Sequence, residues 1–211
     1  MYEVTYTKPD VVKIGPITSS KRELRDLLKA WLAISAAFGI ALAGGFMALR
    51  TVGVLYFFSI SAVAVGAGFL LHELAHKVIA QKYHCWAEFR SFDNMLWLAL
   101  AMSLFGFVFA APGAVMIVGT VTKDRNGKIS LAGPLTNVVL AVIFLGAMFF
   151  VPSTGYLADI TKYGFLINVI LALFNMIPVG NFDGKKIWKW SKLAWVSTAV
   201  VAGGLFSLVL I

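Results

Sequence analysis

The sequence predicts an all-α, polytopic membrane protein. Of its 211 residues, 60% are hydrophobic and only 13% are charged, whereas a soluble domain is usually about 45–50% apolar and roughly 25% charged. Stretches without Asp, Glu, Lys, Arg or His repeatedly reach the length of about 20 residues that a membrane helix needs. The composition therefore excludes a water-soluble globule and a disordered chain. The six uncharged stretches are residues 30–49, 51–71, 94–122, 129–158, 163–182 and 193–211.

A polar arm, residues 1–26, precedes the first stretch. Ser20 and Glu23 fit a capping box, which predicts a helix that begins after Ser20 and runs into the first stretch. We expect the arm to be cytoplasmic and residues 27–211 to form one transmembrane domain. The single cysteine, Cys85, excludes an internal disulfide.

The stretch 94–122 has two possible paths. Gly106, Pro112 and Gly113 interrupt it, so one straight helix over its whole length is not expected. If it returns to its starting side and the other five stretches cross, all 18 basic residues except Arg50 and Lys162 share the cytoplasmic face. The positive-inside rule favours that arrangement. We therefore predict five crossings with one re-entrant or membrane-associated hairpin, and six crossings as the alternative.

His72, Glu73 and His76 form an H-E-x-x-H motif directly after the second stretch. Positions i and i+4 lie on one helix face, so the two imidazoles can share a zinc ion while the glutamate deprotonates a water molecule. Ionisable groups at the end of a membrane helix are costly without a partner or a function. The alternative is a polar cluster that merely ends the span.

Zinc bound by two histidines needs a third protein ligand. His84 is one candidate, but we expect it at the surface; the better candidate is Asp183, which ends the uncharged stretch 163–182. His72 and Asp183 each lie roughly 30 Å along their predicted helices. They reach the same level if those helices are parallel, which requires that 94–122 does not cross. Asp183 could alternatively be an ordinary turn residue before Gly184.

Three motifs, in this order, resemble those of the site-2 proteases, the intramembrane zinc metalloproteases of peptidase family M50. The similarity covers roughly residues 51–189, which it implies are the core of the domain. The motifs are H-E-x-x-H at His72–His76, G-P-x-x-N at Gly133–Asn137, and N-x-x-P-x-x-x-x-D-G at Asn175–Gly184.

This resemblance implies an enzyme that hydrolyses peptide bonds of transmembrane-helix substrates near the cytoplasmic side. It implies Zn²⁺ as the cofactor, and a site that combines metal ligands, a general base and substrate- or oxyanion-binding amides. The ligands would be His72, His76 and Asp183, the base Glu73, and the amides Asn175 and Asn137.

The family also places membrane-associated β structure between the H-E-x-x-H and G-P-x-x-N motifs. Residues 111–121 and 128–131 could form a hairpin there, around Asn126-Gly127. An exposed edge of this hairpin could pair with an unwound substrate strand.

The expected partners are a transmembrane protein substrate and the lipid bilayer, without nucleic acid. We expect a multi-pass cell-membrane protein whose N-terminus and active site face the cytoplasm. The lysines at 185–192 are expected to contact lipid headgroups, and the sequence does not define the oligomeric state. Two alternatives stay open: another integral-membrane zinc metalloprotease, and a non-catalytic zinc-binding pseudoprotease.

Overall fold

The computed structural model describes residues 11–15, 17–50, 53–108 and 112–209, excepting the side chains of 14 and 48–50. Residues 1–10 of the predicted arm therefore lie outside the described residues. The described chain is mostly helical, with two small antiparallel sheets. Its elements are β1 (Val11–Ile14), β2 (Ile17–Ser20), α1 (Lys21–Leu42), a 3₁₀ helix (Gly45–Arg50), α2 (Gly53–Lys82), β3 (Trp86–Ser91), α3 (Asp93–Ser103), β4 (Gly113–Val118), α4 (Lys123–Ala147), α5 (Tyr156–Asn175), α6 (Asp183–Trp190) and α7 (Lys192–Ser207).

Three helices within the described ranges are long and apolar enough to cross a membrane, namely α2, α4 and α5. Helix α7 is apolar but shorter. The count of five or six crossings stays a prediction. Two helix ends differ from those of the uncharged stretches 129–158 and 163–182. Helix α4 stops earlier, at Ala147, and α5 begins earlier, at Tyr156, ahead of the charged Asp159 and Lys162. Gly155, with φ +97°, separates these two helices.

Helices α2 and α5 run parallel, and α4 runs antiparallel between them in sequence. Near their starts, the Tyr56 hydroxyl on α2 donates to Asp159 on α5 at 2.6 Å. Further along both helices, the Asn168 amide on α5 donates to the Ala64 carbonyl on α2 at 3.3 Å. The parallel orientation is the one that brings the ends of α2 and α5 to one level.

Helix α1 begins as the capping box predicts, since the Ser20 hydroxyl accepts a hydrogen bond from the Glu23 N–H at 3.1 Å. The Glu23 side chain is fully buried and forms an ion pair with Lys77 of α2, which is 1% exposed. Its other carboxylate oxygen accepts from the Phe89 N–H of β3 at 2.9 Å. One carboxylate therefore joins α1, α2 and β3.

The chain that follows β3 returns to the end of β3, where it enters β4. Ser91 is paired with Gly113 across the β3–β4 sheet, and the Phe92 N–H donates to the Pro112 carbonyl at 2.9 Å. Helix α3 within this excursion is about 16 Å long, against about 30 Å for the hydrocarbon core. The described ends of this excursion therefore meet, while residues 109–111 lie outside the described ranges. The re-entrant path of 94–122 in the membrane stays a prediction.

The prediction that residues 111–121 and 128–131 pair as a hairpin is wrong. Strand β4 lies in the first of these segments, but it pairs with β3, and 128–131 belong to α4. Thr122 caps that helix by accepting from the Arg125 N–H at 3.3 Å, and Lys128 pairs with Asp124 one turn away at 2.8 Å. These local interactions favour a helix over the Asn126-Gly127 turn.

Candidate metal centre

The side chains of His72, His76 and Asp183 converge where α2 meets the start of α6. The two Nε2 atoms are 3.0 Å apart, and Asp183 Oδ2 lies 3.4 Å from His72 Nε2 and 3.0 Å from His76 Nε2. All three residues are buried. Tetrahedral zinc with ligands at about 2.0–2.1 Å separates its donor atoms by about 3.3–3.4 Å. The triangle therefore has the size and the donor set of a zinc site.

Both imidazoles are oriented by hydrogen bonds on their other nitrogen. His76 Nδ1 donates to the Ile129 carbonyl at 2.7 Å, and this acceptor fixes the tautomer that leaves Nε2 available. His72 Nδ1 is 2.6 Å from Asn137 Oδ1. The Asn137 amide nitrogen donates to Asn168 Oδ1 at 2.9 Å and to the Gly68 carbonyl at 3.3 Å. Asn137 Oδ1 is thus the acceptor for His72, as expected around metal-binding histidines.

Gly133 of α4 leaves space at the centre of this cluster. A Cβ on Gly133 would lie 2.5 Å from His72 Nε2 and 2.5 Å from His76 Nε2. Any side chain would therefore occupy the space between the two donor nitrogens, which a zinc ion needs. The donor set and this space both fit zinc.

Asp183 is brought to the histidines by a tight turn after α5. The adjacent Gly184 lies so close to the Met176 carbonyl that a Cβ would clash with it. The Trp195 indole N–H of α7 donates to the same carbonyl at 2.7 Å and holds the turn. Burial raises the pKa of Asp183, but the neighbouring His76 and His72 outweigh burial and hold the pKa below its usual range.

Glu73 shares a cavity of about 950 Å³ with the three donors. Its carboxylate lies against the backbone of Val115 in β4, and residues 113–117 of that strand line the same cavity. Asn175, the last residue of α5, also lines it. A base, three metal donors and residues of a strand therefore line one cavity.

Two comparisons return no match: no protein-family model fits the chain, and no solved structure matches it significantly. Among curated proteins, the chain is 43% identical over 178 residues to a Methanocaldococcus jannaschii protein named "Putative zinc metalloprotease MJ0611", covering 83% of this chain and 88% of that protein. The chain belongs to this zinc metalloprotease family. It is also similar to "Zinc metalloprotease MJ0392" of the same organism (26% identity; 62% of this chain, 34% of that protein) and to "Putative zinc metalloprotease Rip3" of Mycobacterium tuberculosis (30%; 60% and 29%).

The fold of this zinc metalloprotease brings together the six residues singled out from the sequence. The three expected ligands form the triangle, while the remaining predicted residues, Glu73, Asn137 and Asn175, line the cavity around it. Asn137 contacts His72 directly. The Asn175 amide donates back to the Leu171 carbonyl at 2.9 Å.

The sequence reasoning missed Asn168 of α5. This residue is fully buried and donates to the Gly164 carbonyl at 2.8 Å while its oxygen accepts from Asn137. It therefore supports the asparagine that orients His72. An amide in the middle of an otherwise apolar span was the available signal, because such groups need partners in a membrane helix.

Proposed function

We propose that this zinc metalloprotease is an intramembrane endopeptidase of the site-2 protease type. The observation that carries the proposal is the donor triangle of His72, His76 and Asp183, placed with Glu73 in a cavity between apolar helices of spanning length. Its substrates would be transmembrane helices, cleaved near the cytoplasmic side of a multi-pass protein. A substrate helix must unwind first, because a helical backbone keeps its carbonyls hydrogen-bonded.

The residues of the chain divide the hydrolysis between them. When bound, zinc polarises the scissile carbonyl and acidifies the attacking water. Glu73 takes a proton from this water and delivers it to the leaving amine. Asn137 and the Ile129 carbonyl keep both imidazoles oriented, and Asn175 is placed in the cavity wall to hold the substrate backbone or its developing oxyanion.

Strand β4 supports a binding mode for the unwound substrate. The β3–β4 sheet has two strands within the described ranges, and β4 borders the cavity beside Glu73. A substrate strand that pairs with β4 would pass its backbone in front of the donor triangle.

The test uses purified protein in lipid vesicles with a transmembrane substrate. We expect zinc-dependent cleavage, loss of bound zinc in His72→Ala and Asp183→Ala, and loss of cleavage with zinc retained in Glu73→Gln. His84→Asn is the matched control, because His84 is exposed with φ +59°, a conformation that asparagine tolerates.

Each contrary result identifies a different error. Cleavage by Glu73→Gln would refute the assigned base. Full zinc occupancy in Asp183→Ala would favour a metalloprotease with another third ligand. Stoichiometric zinc without cleavage of any substrate would favour a pseudoprotease.

A further inference from the structure

The wall of the metal-site cavity changes from apolar to basic along one direction. On α2, the lining residues Val65 and Phe69 precede the histidines. On the antiparallel helix α4 the order is reversed, since Lys123 at its start precedes Ile129, whose carbonyl binds His76. The apolar part and the basic part therefore lie on opposite sides of the donor triangle.

Helices α5 and α6 show the same change. Ile170 and Phe174 line the cavity before Asp183, and Lys185 and Lys189 line it after Asp183. The indole N–H of Trp190, at the end of α6, donates to Asp124 at the start of α4 at 2.9 Å. Helix α6 thus runs from the level of the metal donors to the level where α4 begins, and its lysines lie on the same side as Lys123.

Three of the lysines on this side have no acidic partner among the described residues, whereas Lys186, between two of them, pairs with Asp183 at 3.5 Å. We call Lys123, Lys185 and Lys189 the basic rim. Within the described part of the chain, none of the three forms an ion pair. Asp124, the adjacent acid, is already bound by Lys128 and Trp190.

The distance from the donors to the basic rim sets a register for a substrate. Lys189 lies six residues beyond Asp183 on α6, and Lys123 six residues before Ile129 on α4, which is about 9 Å along either helix. Lys185, two residues beyond Asp183, lies only about 3 Å along α6. An extended strand advances about 3.3 Å per residue. The rim therefore faces substrate residues about one to three positions from the scissile bond.

We infer that the site selects transmembrane substrates that carry acidic residues about one to three positions from the scissile bond, on the side away from the apolar segment. This inference rests on the proposed function and names its substrate class. Most membrane helices carry lysine and arginine at their cytoplasmic ends, and the basic rim repels that flank. The rim thereby disfavours membrane helices with a basic cytoplasmic flank, which are the majority, and attracts helices with an acidic flank.

The experiment uses the full chain in vesicles of zwitterionic phosphatidylcholine, so that no anionic lipid competes for the lysines. Four synthetic peptides share one transmembrane segment of 20 leucine and alanine residues with a helix-breaking Asn-Pro near its end. In three peptides the flank carries two aspartates, two asparagines or two lysines within four residues of the segment. In the fourth peptide the two aspartates lie eight residues away from the segment. We expect kcat/KM for the near aspartates to exceed that for asparagine about tenfold, as two partly solvated ion pairs allow, and lysine to be lowest.

Binding of the same peptides to the Glu73→Gln protein, measured by energy transfer from a peptide fluorophore, separates recognition from turnover. The same order in Kd is expected there. Absence of cleavage together with graded binding would count against the proposed protease function and support the inference. Equal Kd values for the four flanks would overturn the inference, whatever the cleavage result.

A matched pair of charge reversals assigns the effect to the rim. Lys185→Glu/Lys189→Glu should invert the preference toward the lysine flank. Lys82→Glu/Lys192→Glu, which changes the net charge equally at residues that do not line the cavity, should keep the wild-type order. If both double variants showed the same order of preference among the four flanks, the inference would be overturned. The inference would also fall if anionic lipid raised wild-type activity without any flank preference, because the rim would then be a headgroup contact.

Discussion

Replacing Gly133 by alanine should strongly weaken zinc binding while the helix around it still forms. The added Cβ would lie 2.5 Å from both donor nitrogens, whereas non-bonded heavy atoms are at optimal separation at about 3.5–4.0 Å. One or both imidazoles must therefore move by about 1 Å. Alanine is otherwise a better helix residue than glycine, so the effect is confined to the space between His72 and His76.

The expected magnitude follows from the tolerance of a zinc site. Plausible ligand distances vary within about 0.2 Å, so a displacement of about 1 Å removes at least one ligand. Changes in groups that merely support a ligand already cost about 10–100-fold in affinity. We therefore expect zinc affinity to fall at least 100-fold, with an overpacking cost to the fold of about 1–3 kcal/mol.

The assay is zinc content after dialysis, followed by competition with a chromophoric chelator. Gly146→Ala is the matched control, because Gly146 lies on the same helix and its added Cβ meets nothing within 4 Å. The control should keep its zinc and unfold at the same or a slightly higher temperature. Wild-type zinc affinity in Gly133→Ala would refute the reasoning, since the metal could not then lie between the two imidazoles.

Three further outcomes are expected. Asn168→Ala should weaken zinc binding about tenfold by freeing the asparagine that orients the first histidine; unchanged affinity in a chelator titration would exclude that coupling. Lys77→Met should lower the free energy of unfolding by about 3–5 kcal/mol because Glu23 is left buried and unpaired, and Lys77→Met/Glu23→Leu should recover part of it in the same unfolding assay. The hydrogen bond from Lys29 lowers the pKa of Asp93. The stabilising contribution of the ionised Asp93 is therefore present at neutral pH and is lost as the pH falls through the lowered pKa. Asp93→Asn should flatten that part of the curve of unfolding free energy against pH, and an unchanged curve would contradict this prediction.

Much of the candidate site was predictable because its signals are local or are ordered along the chain. The two histidines share a helix face through their spacing alone. Asp183 could be placed by comparing depths along two uncharged stretches, since the parallel orientation of α2 and α5 brings equal depths together. The start of α1 at Ser20 followed from a capping pattern that spans three residues.

Apart from the misplaced ends of α4 and α5, the errors concern interactions between distant parts of the chain. Strand β4 was expected to pair with residues that follow it closely, but its partner, β3, precedes it by an entire excursion of the chain. Neither strand has a sequence pattern that identifies the other as its partner, because their pairing depends on the path of the chain through α3. Asn168 was missed for the same reason, since its partners come from α2 and α4 and no spacing within α5 indicates them.

The ion pair of Glu23 and Lys77 has a consequence for biosynthesis. Its two residues are 54 positions apart, and the acid comes first. Domains generally form from the N-terminus during synthesis, so Lys77 leaves the ribosome after its counter-charge is already available. The charge of Lys77, which is buried in the finished fold, can therefore be paired before α4 and Asp183 have been made. The complete donor set can form only afterwards, because Asp183 is made after both histidines and the turn that positions it is held by Trp195 of α7.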